Sequence, residues 1–267
     1  MDALQRIIAY KRDEVATLLG QASEKDWLAR AEASPAPAPR GFIDALVSAH
    51  DRGQNALICE IKRKSPSAGD ILPGADPLEV ARDYAAAGAS CLSVLTDGPS
   101  FGGNIADLEQ ARSTIALPIL RKEFMVHPVQ VHETRAAGAD AVLVIMSAVD
   151  DALAGELMAA AAHHGLDVLV EVHDRAELDR AAGLGATLIG INNRDLKRMV
   201  TDLATSEALA ACLPKGAVAV SESGIRTPED IVRLRASGFR TFLIGESLML
   251  SGDRRSATRE LSVAGTN

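Results

Sequence analysis

Aromatic side chains are scarce in this chain: one Trp, two Tyr and five Phe make up 3% of 267 residues. Cysteine is scarcer still, and Cys59, Cys91 and Cys212 are odd in number, far apart and set in apolar sequence. That pattern excludes a disulfide framework and a zinc-ligand pair. No apolar run approaches the roughly 20 residues of a membrane helix, and the N-terminus lacks the hydrophobic stretch of a signal peptide. The expectation is a soluble, untargeted protein with reduced thiols in the cytoplasm. Net basic charge is lacking too: 28 Lys and Arg face 36 Asp and Glu, a formal charge of −8. Phosphate backbones and anionic lipids do not attract such a surface, which argues against nucleic-acid and membrane partners and leaves a small-molecule ligand. An anionic substrate must then be held by a local arrangement.

What is present is a 47% hydrophobic composition, enough for one sizeable core. Leu4, Ile7, Ile8, Val15, Leu18 and Leu19 fall at helical spacing with Lys11, Arg12, Asp13 and Glu14 between them, which predicts an amphipathic helix. A short helix over 26–33 runs into Ser34–Pro39, whose alternating prolines demand an extended connector before a helix over 42–50. Residues 1–52 thus read as a helical extension that caps a barrel formed by residues 53–267.

From Asn55 onward, short β-rich runs alternate with Ala-rich helical runs eight times. The predicted strands are Ala56–Lys62, Cys91–Leu95, Pro118–Glu123, Ala141–Met146, Val168–Val172, Leu188–Ile191, Ala217–Ser221 and Thr241–Ile244. Gly88, Gly138, Gly185 and Gly238 each sit where a helix should end shortly before one of them. The fold class is therefore α/β, a single (β/α)8 TIM barrel with an N-terminal helical extension. A doubly wound open sheet is the alternative, but the loop from Arg63 to Gly74 lacks a Gly-x-Gly-x-x-Gly pattern. Ser262–Asn267 is small and polar and is expected to fray.

Barrel enzymes place their chemistry at the C-terminal ends of strands. Alternation along the first strand puts Ile58, Glu60 and Lys62 on one face and Leu57, Cys59 and Ile61 on the other. Glu60 and Lys62 fit equally a structural ion pair and a functional one. In the third strand Lys122 shares a face with Leu120, and Arg121 shares the opposite face with Glu123, so the two sets should have different jobs. Glu171 closes an apolar run, where a carboxylate must be paired or useful. Asn192, Asn193 and Arg194 end the sixth strand, where turn chemistry and function are equally good accounts. The last two strands end in Ser221-Glu222-Ser223-Gly224-Ile225 and Gly245-Glu246-Ser247, with a short helix predicted from Ser247. Loops after strands seven and eight, joined to a helix N-terminus, form this fold's recurrent phosphate site, which points to a phosphorylated substrate.

Glu60-Ile61-Lys62-Arg63-Lys64-Ser65-Pro66-Ser67 resembles the first-strand signature of indole-3-glycerol phosphate synthases. The resemblance continues, in order, through Leu95-Thr96-Asp97, Phe101-Gly102-Gly103, Leu120–Phe124, Glu171-Val172-His173, Gly190–Leu196, Ser221–Ile225 and Gly245–Met249. It implies cyclisation, decarboxylation and dehydration of 1-(2-carboxyphenylamino)-1-deoxyribulose 5-phosphate without metal or organic cofactor. Lys122 then resembles the general acid, with Glu171 in the later proton transfers to dehydration, Glu60 as its partner carboxylate and Lys62 as a cation for substrate anions or the departing hydroxyl, roles that could be permuted among the four; Asn192 and Arg194 would orient the substrate and its carboxylate. Ser65, Ser223, Gly224, Gly245 and Glu246 would surround the phosphate, Glu246 through its backbone N–H. Phe101 and Phe124 are expected to wall the anthranilate ring. The family usually has aspartate after the catalytic lysine, whereas Glu123 stands here. A phosphoribosylanthranilate isomerase and a non-catalytic phosphate-ligand sensor are the competing readings, and the assembly expected is a monomer or weak homodimer.

Overall fold

The computed structural model describes residues 2–195 and 200–266. Asp2 starts the chain's first helix with a capping box: its carboxylate accepts from Gln5 N at 2.8 Å, and its own N–H donates to the Gln5 side chain at 3.1 Å. Helix α1 (Ala3–Gln21) buries Ile7, Lys11 and Val15, one face at helical spacing. Helix α2 (Glu24–Glu32), capped by Ser23, packs along the outside of the barrel, and the proline-rich connector leads from it to α3 (Phe42–Asp51). The connector is held to the barrel wall: Ser34 Oγ donates to Ala136 O at 3.0 Å, and Arg112, paired with Asp140 at 2.8 Å, donates to Ala38 O at 3.0 Å.

Beyond α3 the strands and helices alternate. Strand β1 (Ala56–Ile61) leads into a two-stranded hairpin, β2 (Lys64–Ser65) and β3 (Gly69–Asp70), then α4 (Pro77–Ala86) and β4 (Cys91–Leu95). Next come α5 (Gly98–Phe101), α6 (Ile105–Thr114), β5 (Ile119–Lys122), α7 (Pro128–Ala136), β6 (Ala141–Ile145) and α8 (Asp151–His163). The second half contains β7 (Asp167–Val172), α9 (Arg175–Gly183), β8 (Leu188–Asn192), α10 (Ala204–Ala210), β9 (Val218–Glu222) and α11 (Pro228–Ala236). It ends with β10 (Thr241–Ile244), the single turn α12 (Glu246–Met249) and α13 (Arg254–Val263).

All strands but the hairpin pair in parallel, in the order β1-β10-β9-β8-β7-β6-β5-β4, and the sheet closes on itself. Strands covered on both faces need near-continuous apolar sequence, which is why β4, β6 and β10 are buried throughout. Alternation divides the core in two. Leu57, Cys59, Val94, Val142 and Val170 pack outward against the helices, whereas Ile58, Leu120, Leu143, Leu169, Leu188, Val220 and Leu243 fill the barrel.

The helices before the barrel cover both of its ends. Helix α1 lies over the mouth, and α3 closes the opposite end: Phe42, Leu46 and Ala49 join the interior cluster beside Ala56, Cys91 and Ala141 at the strand starts. Ile43 N donates to the Asp167 carboxylate at 2.9 Å, and His50 Nε2 lies 2.9 Å from Thr241 Oγ1. The cause is the apolar face of α3, which finds the open lower end of the barrel. The frayed tail is corrected. Ser262 belongs to α13 and is buried, and Asn55 Nδ2 donates to both Leu261 O and Ala264 O at 2.9 Å; Asn267 lies outside the described residues.

Candidate active site

At the C-terminal ends of the strands a cavity is lined by Glu60, Lys62, Lys122, Glu171, Asn192 and Glu222 at its base. Phe101, Phe124 and Arg194 form its upper wall, and Ser223, Gly224, Gly245 and Glu246 its far side. The strands present the charges because each is the inward residue after an apolar inward one: Ile58 then Glu60, Leu120 then Lys122, Leu169 then Glu171, Val220 then Glu222.

Lys122 is the centre of the charge pattern. Its ammonium meets Glu171 Oε2 at 2.5 Å and Glu222 Oε2 at 3.1 Å. Lys62 pairs separately with Glu60 at 2.7 Å. Burial disfavours the Lys122 charge, but Glu171, Glu222 and Glu60 outweigh the lost solvation and hold it above the ordinary lysine value. Glu171 is also buried, yet Lys122 and His173 keep it below the usual carboxylate range. Asn192 Nδ2 adds a hydrogen bond to Glu171 Oε1 at 2.9 Å. For Glu222 the balance reverses. Burial, offset only in part by Lys122 and reinforced by Glu171 and Glu60, pushes its carboxyl up to about 7. Two carboxylates on one ammonium thus separate into an ionised group and one poised to exchange a proton near neutrality.

Glu222 and His173 lie in motifs quoted from the sequence but were given no role there. For Glu222 the signal was available, since extending the inward alternation past Val220 by one step reaches it. His173 had no comparable signal: its ring lies in the β7–α9 turn, with Nε2 3.4 Å from Glu171 Oε1 and Nδ1 3.0 Å from Glu177 Oε2.

The far side of the cavity is built from unusual backbone. Ser223 at φ 66° is the one non-glycine residue with positive φ among the described residues, and Gly224 comes next at φ 83°. Asn193 Nδ2 fixes this turn by donating to Ser221 Oγ at 3.0 Å and to Ser223 O at 3.1 Å. Ser247 Oγ donates to Ile225 O at 2.9 Å and joins the two loops. Gly245 is required for another reason: a Cβ there would stand 2.5 Å from Glu60 Oε1. Glu246 opens α12, and its carboxylate turns to Arg194, 3.4 Å away. Arg194 also donates to Thr201 Oγ1 at 3.2 Å; Leu196, the last residue of that motif, lies outside the described residues.

Phe101 and Phe124 face one another with ring centroids 6.0 Å apart. Ser65 does not line this cavity. It is buried in the hairpin, where its hydroxyl accepts from Ala68 N at 3.1 Å, while Pro66 and Ser67 border a small adjoining pocket under Leu4 and Ile7. Glu123 turns away from Lys122 toward α1. It meets Lys11 Nζ at 3.0 Å, accepts from Thr96 Oγ1 at 2.7 Å and accepts from Phe124 N at 2.9 Å. Lys11, 1% exposed, reaches Asp97 at 2.8 Å as well, so α1 is bound by charge to the turns after β4 and β5. Cys59 packs among the outer cluster, away from the cavity.

Comparison with known proteins gives the same direction from independent information. The family model for indole-3-glycerol phosphate synthase matches residues 4–261. The indole-3-glycerol phosphate synthase of Hyphomonas neptunium is 59% identical over 95% of both chains. That of Rhodospirillum rubrum is 51% identical over 97% of this chain and 98% of its own. Among solved structures, 3-hexulose-6-phosphate synthase from Salmonella typhimurium superposes with a TM-score of 0.63 at 14% identity, covering 78% of this chain and 97% of that one, a likeness of fold alone. With the matched segment running from α1 into α13, the chain belongs to the indole-3-glycerol phosphate synthase family.

Proposed function

We propose that the chain is a carboxy-lyase of tryptophan biosynthesis that converts 1-(2-carboxyphenylamino)-1-deoxyribulose 5-phosphate to indole-3-glycerol phosphate, CO2 and water. The observation that carries this reading is the Lys122 ammonium held between Glu171 and Glu222 inside the cavity. As the aromatic carbon bearing the carboxylate attacks the ketone carbon, Lys122 protonates the ketone oxygen and removes the developing negative charge. Loss of CO2 then restores the aromatic ring. Dehydration needs a base for the methylene proton, and Glu171 is ionised and adjacent; it also needs an acid for the departing hydroxyl, for which Glu222, Glu60 and Lys62 are within the same charge cluster. Asn192 orients Glu171, and Arg194 faces the substrate carboxylate. Phe101 and Phe124 wall the anthranilate ring. Ser223, Gly224, Gly245 and the N–H of Glu246 take the phosphate, as loops after the last two barrel strands do elsewhere. Ser65 supports the hairpin beside the mouth rather than the phosphate itself.

The helices within residues 1–52 and the barrel of 53–267 work as one unit in this reading. Among the described residues no helix is long and apolar enough to cross a membrane, and a cytoplasmic monomer or weak homodimer is the assembly we propose. Incubation with the ribulose phosphate tests the assignment: indole absorbance and fluorescence should grow in. A protein that binds the substrate and yields no indole signal is a sensor or an isomerase, and the proposal fails.

A further inference from the structure

Phe101 and Phe124 carry no polar side-chain atom with which to fix their own rings, so the 6.0 Å between their centroids is set by the backbone that presents them. Phe101 ends α5, a helix of one turn that is too short to keep its shape without its cap. That cap is Asp97, whose Oδ2 accepts from Ser100 N at 2.8 Å. Phe124 follows β5 within two residues and is held on both sides of its backbone. Its N donates to Glu123 Oε1 at 2.9 Å, and its O accepts from Gln130 Nε2 at 3.0 Å.

The same two carboxylates meet on helix α1. Asp97 Oδ1 and Glu123 Oε1 converge on one ammonium, Lys11 Nζ, at 2.8 and 3.0 Å. Glu14 Oε2 supplies a third acceptor at 2.7 Å. Tyr10 Oη donates to the same Asp97 oxygen at 2.8 Å and lies 2.9 Å from Ser100 Oγ. Lys11, Asp97 and Glu123 are all buried. Burial disfavours the ammonium, but Glu123, Asp97 and Glu14 outweigh the lost solvation and hold it above the ordinary lysine value. Lys11 is not among the residues that line the cavity, so whatever it does for a bound substrate it does through its two partners.

We propose that Lys11 is a positioning residue: through Asp97 and Glu123 it sets the gap between Phe101 and Phe124, and with it the affinity for the aromatic end of the substrate. The inference rests on the synthase reading, in which the anthranilate ring lies against the two phenylalanines, and adds the group that fixes their spacing. Without the cation, Asp97 is a buried carboxylate that must turn toward water or take up a proton, and either change loosens the cap of α5. Glu123 keeps only Arg121, 3.9 Å from its other oxygen, Oε2, and is drawn off Phe124 N. The turn proposed for the phosphate shares none of these contacts, since Asn193 and Ser247 hold it. Loss of Lys11 should therefore separate the two ends of the substrate, weakening the grip on the ring and leaving the grip on the phosphate.

The test uses Lys11→Met and Tyr10→Phe in the full-length protein, each assayed well below its melting temperature. KM for the ribulose phosphate is measured beside inhibition by two fragments, anthranilate for the ring and inorganic phosphate for the other end. In Lys11→Met, KM and the anthranilate inhibition constant should rise about tenfold while the phosphate constant stays within about twofold, a split that general loosening of the fold does not produce. Tyr10→Phe removes one bond to Asp97 and keeps every charge, so it reads the α5 half should Lys11→Met fold poorly; its anthranilate constant should rise about threefold. An anthranilate constant unchanged in every variant that folds, or a rise matched by that of phosphate, overturns the inference. So does wild-type protein that forms indoleglycerol phosphate and is not inhibited by anthranilate. Wild-type protein that forms no indoleglycerol phosphate removes instead the synthase reading beneath it.

Discussion

Gly190 leaves empty the space that the Glu222 carboxylate fills: a Cβ at position 190 would overlap Glu222 Oε1. The β8–β9 register sets this close approach by pairing Gly190 with Val220 and Asn192 with Glu222. Gly190→Ala should push Glu222 off Lys122. We expect kcat to fall about tenfold or more and stability to drop by about 1–3 kcal/mol, the scale of overpacking a filled interior. Steady-state kinetics and a thermal melt measure both, and normal turnover would show that the Glu222 position is not needed.

Lys122→Ala should lower kcat by at least about a hundredfold, the usual scale for a lost general acid. Circular dichroism should remain that of the native barrel. Near-normal turnover would mean that another group protonates the ketone oxygen.

Glu222 makes stability depend on pH in a defined direction. Its folded pKa of about 7 lies above the ordinary value of 4.5, so the folded protein holds an extra proton between the two. That contribution is fully present below about 4.5 and is lost as pH rises through about 7. Glu222→Gln cannot ionise, so its Tm relative to wild type should climb across this window and level off above it. A difference independent of pH would place the Glu222 pKa elsewhere.

Much of this was legible in the sequence because barrel strands announce themselves by apolar runs and, before several of them, by the glycine that ends the preceding helix. Two-residue alternation sufficed to separate Lys122 from Arg121 and Glu60 from Cys59. What alternation does not encode is the partner of a side chain across the barrel. The sharing of one ammonium by Glu171 and Glu222 results from closure, which brings residues 49 and 100 positions from Lys122 into contact with it. The placement of α3 escaped for a similar reason, since amphipathicity reports that a helix has an apolar face and not which opening that face will cover. Ser65 is the opposite case. Its motif is specific, yet its hydroxyl is used to close a hairpin.

Gly224→Val should act mainly on KM. The position has φ 83°, and a Cβ would meet Thr201 Cγ2 at 2.6 Å, so the turn proposed for the phosphate must shift. A KM raised about tenfold with kcat within a few-fold is the signature of lost ground-state binding. An unchanged KM would remove the phosphate from this turn.

Lys11→Met should destabilise the fold by about 3–5 kcal/mol, because it strands Asp97 as a buried carboxylate without its cation and leaves Glu123 only Arg121, 3.9 Å away. Thermal and urea melts report the loss. A variant as stable as wild type would show that α1 is held by its apolar face alone.

Plugging of the lower end by α3 makes the barrel a cup and not a pipe. With that end closed, indoleglycerol phosphate should vacate the same opening through which its precursor arrives. Product still seated at the turn proposed for the phosphate would exclude the next reactant, and inhibition by accumulated product should be competitive, overcome by raising the reactant concentration.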